Sequence, residues 1–141
     1  MNNLFVFLFA LLVVTACTSK KEEATETAAQ ERAEMDAYHL VMAEAFHPFK
    51  DSANLEPVKA QAAELAKAAE AWVNAPLPEK VNNDDVKAKL AELKTNSDAL
   101  AQLVATGTQE EIGAALTSLH DQFHALQEAW YGGEGHHQHD H

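Results

Sequence analysis

The chain has one cysteine, four prolines and five glycines in 141 residues, and its first glycine is Gly107. A single cysteine excludes any internal disulfide. Basic residues are also scarce: ten Lys and Arg stand against 22 Asp and Glu, a net charge of −12. So acidic a chain lacks the cations that would hold phosphate, which excludes nucleic acid as a partner. The same charge draws cations, metal ions included, toward the surface. β-Branched residues are sparse and no alternating apolar pattern stands out, so strands are not expected. Missing too are a nucleophile–base arrangement, a glycine-rich phosphate loop and a CxxC pair, and the chain reads as a protein other than an enzyme.

The one long apolar run is Leu4 to Val14, LFVFLFALLVV. It is too short for a permanent membrane span and suits the core of a signal peptide. It runs into Val14-Thr15-Ala16-Cys17, a pattern resembling a lipobox, in which small residues precede the cut and the cysteine thiol takes the lipid. The N-terminal Met1-Asn2-Asn3 departs from the usual signal by carrying no positive charge. Residues 1–16 are therefore read as a signal peptide, and Cys17 as the lipidation site through which the protein meets a membrane. Thr18 and Ser19 follow, with no Asp at these positions. By the same resemblance, that points to a periplasm-facing protein anchored to the outer membrane. Removing 16 residues leaves 125, one small domain. Residues 17–32 are polar and form a tether.

From about residue 33 the pattern is helical. Met35, Tyr38, Met42, Ala45, Phe46 and Phe49 recur at steps of three and four, and Pro48 is expected to end or bend this first helix near His47. Asn54 can cap a second helix with Pro57 in its first turn and Val58, Ala62, Leu65, Ala69 and Trp72 inward. A third follows Asn83, with Val86, Leu90, Leu93, Leu100 and Val104 inward and Ser97 on the same stripe. Thr108 and Glu111 form a capping box for a fourth, whose stripe is Ile112, Leu116, Leu119, Phe123, Leu126 and Trp130. Four amphipathic helices with short connections predict an all-α fold, an antiparallel up-down four-helix bundle over residues 33–131. Residues 132–141 form a Gly/His-rich tail.

Histidine is the informative polar residue. His120 and His124 are four apart, one turn on one helical face, so both imidazoles can address one ion. An antiparallel first helix, with residue 30 level with residue 130, would place His39 across from His120. Met42, and Met35 beside it, could add sulfur, which would favour copper. His47 is a further candidate, and either His39 or His47 could complete the set. Imidazole suits copper, zinc or nickel. In the tail, His136, His137, His139 and His141 make a tract that attracts metals weakly and without much selection.

The VATGTQEE turn, the Ala-rich helices and the final helix LTSLHDQFHALQEAW together resemble the cytochrome c′ and cytochrome b562 class of bundles. The c′ motif C-x-x-C-H, laid on this sequence, puts the haem-ligating histidine on His124 and the cysteines on His120 and Phe123. Covalent haem attachment is thereby excluded. A b562-like haem b held by His124 and a first-helix methionine is what the resemblance implies as an alternative. The leading expectation is an envelope lipoprotein that binds a transition-metal ion to buffer, sense or deliver it, exchanging the ion with a donor or acceptor protein. A non-metal interaction module of the envelope is the third reading.

Overall fold

The computed structural model describes residues 29–132. Four helices form the domain: α1 (Ala33–Ser52), α2 (Glu56–Asn74), α3 (Asp84–Thr106) and α4 (Gln109–Gly132). A single 3-10 turn, Glu79–Val81, interrupts the connection before α3. No strand occurs among the described residues. α1 packs on α2, α2 on α3, α3 on α4, and α4 on α1, the last seam being the lightest. None of these helices is long and apolar enough to cross a membrane.

Each helix exists because its apolar stripe is shared with its neighbours, since isolated helices of this length are marginal in water. The α2 stripe Val58, Ala62, Leu65, Ala69 and Trp72 is buried throughout. So is the α4 stripe from Ile112 to Trp130. Trp72, Tyr38 and Phe123 form the centre, with Tyr38 and Phe123 stacked 5.5 Å apart and Trp72 edge-on to Phe123 at 6.3 Å. Trp72 also meets Trp130 at 5.8 Å.

Ser97 is the sole buried polar side chain among the described residues. Its hydroxyl donates to the Leu93 carbonyl at 2.7 Å and lies 3.0 Å from the Tyr38 hydroxyl. Both polar groups are thus satisfied inside the core, as buried groups must be. Burial pushes the Tyr38 phenol well above its ordinary value, so the ring stays neutral.

The helix ends follow the capping chemistry. Asn83 accepts from the Val86 N–H at 2.9 Å. Thr108 Oγ1 accepts from the Glu111 N–H at 3.2 Å, while Glu111 accepts from the Thr108 N–H at 2.8 Å. Gly107 closes α3 through its N–H to Leu103. For α2 the cap moves by one residue. Leu55 holds the N-cap place, and Asn54 instead accepts from the Glu56 N–H at 3.1 Å.

At Pro48 the helix does not end: α1 continues to Ser52. The carbonyl that Pro48 leaves without its helical donor belongs to Glu44, an exposed residue where water can replace it. The stop comes at Ala53, in the left-handed region at φ 53°, whose N–H reaches the Phe49 carbonyl at 2.7 Å. The Pro48 carbonyl accepts from the Ser52 hydroxyl at 2.9 Å and the Asn54 N–H at 3.2 Å. A left-handed residue at this position is the usual way to satisfy orphan carbonyls.

Candidate functional site

Helix α4 carries His120 and His124 on the flank that turns toward α1. The Nε2 atoms of the two rings lie 3.1 Å apart. Two nitrogens bound at about 2.0–2.1 Å to a tetrahedral zinc stand about 3.3 Å apart, so the pair is spaced almost as a chelate requires. Without an ion, one Nε2–H donates to the other ring's lone pair. Binding an ion to both nitrogens moves that proton to the far side of its ring.

The surroundings of His120 favour that shift. Its ring lies flat on Phe46, 3.8 Å between centroids and 10° between planes. Its Nδ1 is buried and makes no hydrogen bond, although Asp121 Oδ1 stands 3.5 Å away. That separation is close enough for charge attraction but outside hydrogen-bond geometry. A proton on Nδ1 would meet this carboxylate, the arrangement that orients metal-bound imidazoles. Burial holds His120 below the ordinary imidazole value and the neighbouring His124 pushes the same way, while the Asp121 carboxylate beside Nδ1 offsets part of that effect. His124 is exposed and His120 about one-quarter exposed, which leaves the far side of a bound ion open to solvent.

The other sequence candidates are placed differently. His39 stacks on Phe123 at 5.2 Å, and His47 meets the edge of Phe46 at 6.5 Å. Both are exposed. Neither joins the pair: among the described residues no three His, Cys, Asp or Glu side chains gather into a set that could hold an ion. The ring of His39 lies against Phe123, and the ring packed on His120 is that of Phe46. Met35 meets Tyr131, and Phe46 meets His120. Phe49 lies where a Cβ on Gly113 would stand 2.8 Å from it, so the glycine makes room for the ring. Met42 is 1 % exposed, inside the core. Met35 is equally buried, with its sulfur 3.8 Å from the Tyr131 hydroxyl. Cys17 and the tail residues His136, His137, His139 and His141 lie outside the described residues.

An open groove of about 860 Å³ adjoins this flank, lined by Phe49, Gly113, Thr117, Asp121 and Gln122 among others. It contains neither histidine. What sequence reasoning missed was Phe46 as a platform for His120. Phe46 had been placed on the apolar face, and nothing in a linear pattern says which ring of another helix it will meet.

No family model matches the chain, and no curated protein and no solved structure is significantly similar to it.

Proposed function

We propose that this protein binds a divalent transition-metal ion through His120 and His124, and that it buffers or delivers that ion rather than using it for catalysis. The observation that carries this reading is the 3.1 Å separation of the two Nε2 atoms. Two protein ligands leave a tetrahedral ion two open positions, where a closed structural site has none. Such an ion exchanges readily, which suits transfer to and from a partner protein. The ligand atoms are nitrogen alone, because both first-helix methionines are sealed in the core. Zinc, nickel and copper(II) therefore fit better than copper(I). The acidic chain supplies the field that attracts the ion.

In this proposal the four helices run alternately up and down. Support comes from the α1–α4 seam, where later residues of α1 meet earlier residues of α4: Met35 with Tyr131, Phe46 with His120, Phe49 with Gly113. The lipid anchor at Cys17 and a periplasm-facing location on the outer membrane complete the proposal and rest on the lipobox-like sequence alone.

A haem b between a first-helix methionine and His124 is less well supported. His124 is exposed while Met35 and Met42 are 1 % exposed, and the stacked rings of Tyr38 and Phe123 fill the interior near them. The residues as they stand do not fit that group.

The test is zinc affinity of the full chain and of the His120→Ala/His124→Ala variant, by competition with a chromophoric chelator. The double variant is expected to keep its helical signal and lose tight binding by about a hundredfold or more, the scale of a lost chelate. Unchanged affinity would sink the assignment.

A further inference from the structure

The pair on α4 offers an ion two nitrogens and leaves its outer face uncovered, and α1 supplies no third. His39 lies against Phe123 and His47 against Phe46, and no set of three ligand side chains forms among the described residues. What borders the pair is small. The seam contacts run in order: His39 with Phe123, Phe46 with His120, Phe49 with Gly113. Ala43 is one turn from both His39 and Phe46, so it shares their face and stands level with the two histidines. It is half-buried, and its methyl group rises little above the seam. On α4, the exposed Thr117 stands one turn before His120. Nothing bulky therefore guards the open side of the ion.

The charge around the pair differs from that of the whole chain. The Asp121 carboxylate and the Lys50 ammonium, of opposite sign, both act on His120. Glu128 is exposed one turn beyond His124, and Asp36, farther along the seam, attracts Arg32. Two carboxylates, Asp121 and Glu128, against one ammonium leave this face a single net negative charge near the pair, where the chain as a whole carries −12.

We infer that the outer ligands come from a second copy of this chain: one divalent ion lies on a two-fold axis between two bundles, held by His120 and His124 of each. This inference rests on the proposed role of that histidine pair and adds the partner that completes it. A two-fold interface presents the same patch twice, so the two nitrogens that one copy lacks are the two that the other brings. Four imidazoles around a tetrahedral ion suit zinc best. The geometry asks only that the two Nε2···Nε2 lines cross near a right angle. That is a condition on how one copy is turned against the other, not on the fold of either. The two charges of the ion offset the one net negative charge that each face contributes. Take the ion away and two like faces repel, so the dimer is made by the metal. The bridged form keeps the ion closed. A partner with its own imidazoles or thiolates opens it by taking the place of one copy.

The test is sedimentation equilibrium of the full chain in a density-matched detergent, titrated with zinc and, for its colour, cobalt(II). All forms carry His136→Gln, His137→Gln, His139→Gln and His141→Gln, so that metal is read at the bundle alone. The bundle is expected to be a monomer without metal and to double its mass at one ion per two chains. Chelator should reverse the change. Cobalt at that ratio should show the intense visible bands of a four-coordinate ion. Excess metal should split the dimer again, as each copy takes an ion of its own, and the bands should weaken. His120→Ala/His124→Ala should abolish the dimer. Ala43→Arg leaves both ligand nitrogens in place but sets bulk and charge on the face. It is expected to keep the helical signal and a weakly held ion while staying a monomer at every zinc ratio. Thr117→Arg, on an exposed position, serves the same purpose if Ala43→Arg disturbs the helix.

Two results would overturn the bridge and leave the α4 pair standing. In the first, zinc binds one per chain, is lost with the two histidines, and the protein stays a monomer throughout. In the second, a dimer forms equally with and without metal, or survives His120→Ala/His124→Ala, so that the ion does not join the copies. If the double variant binds zinc as tightly as the protein that keeps the pair, the α4 site itself is wrong and the bridge falls with it.

Discussion

The imidazole of His120 lies face to face with the ring of Phe46, 3.8 Å away and only 10° from parallel. Flat contact with a buried ring fixes the plane of the imidazole and hence the direction of its Nε2 lone pair. Phe46→Leu keeps the site apolar but removes the platform. The expected result is a stability loss of about 1–2 kcal/mol, since a branched side chain fills most of the ring's space. Zinc affinity should fall several-fold as well. Denaturant titration and chelator competition on the same sample would separate the two, and unchanged affinity would mean the stack does not aim the ring.

A metal-bound imidazole must be neutral, so protons compete with the ion. His120 is held below the ordinary value of about 6.5 by burial, and therefore stays neutral to lower pH than a solvated histidine. Zinc affinity is expected to hold through neutral pH and fall as pH drops below about 6. Asp121→Asn removes the carboxylate 3.5 Å from Nδ1. Because that side chain is largely exposed, the expected loss is at the low end of the usual ten- to hundredfold range, about tenfold. Isothermal titration at several pH values would check both; a pH-independent affinity would argue that imidazole is not the ligand.

The Tyr38–Ser97 pair predicts non-additivity. Ser97→Ala leaves the Tyr38 hydroxyl buried beside nothing that can accept its proton, at a cost of about 1–3 kcal/mol. Tyr38→Phe leaves Ser97 its bond to the Leu93 carbonyl and should cost less. With both changes made, no polar group is stranded, and stability should recover relative to Ser97→Ala alone. Additive losses in a double-mutant cycle would show that the two hydroxyls are not coupled.

The capping box gives a prediction in acid. Hydrogen bonds from the Thr108 backbone and hydroxyl hold the Glu111 carboxyl below its ordinary value. A depressed carboxyl stabilises the fold above its unfolded value, near 4.5, and that contribution disappears as pH falls through the lower folded value. Unaltered protein should exceed Glu111→Gln in melting temperature at pH 7 and match it near pH 2. Thr108→Ala, which removes the cap acceptor, should cost about 1 kcal/mol. A gap between the proteins that persists at pH 2 would point to another cause.

Most of the fold was legible because a helix in a small bundle must write its buried face into the sequence at three- and four-residue steps. Leu65, Trp72, Leu93 and Phe123 fall where that period puts them. So does Ser97, which lies on the same stripe and is buried with it. Local chemistry was legible at Asn83 and Thr108. Pro48 does not end its helix, because a proline near a helix end costs little when the freed carbonyl, that of Glu44, is on an exposed residue. Val81 was missed since a 3-10 turn of three residues has no period to detect, yet it buries its side chain almost fully. In the site, the i, i+4 pair was readable from spacing alone. The ring contacts were not, because which side chain of α4 meets His39 or Phe46 is a fit between residues more than 70 apart in the chain.

The contact between the Tyr131 hydroxyl and the Met35 sulfur brings the first turn of α1 beside the last turn of α4. The folded unit therefore enters and leaves at neighbouring points, and its path is nearly a closed loop. A short linker across that gap, with a new opening at the Gly107-Thr108 turn, where Thr108 is exposed, gives a circular permutant that retains the bundle core, as closely spaced ends usually allow.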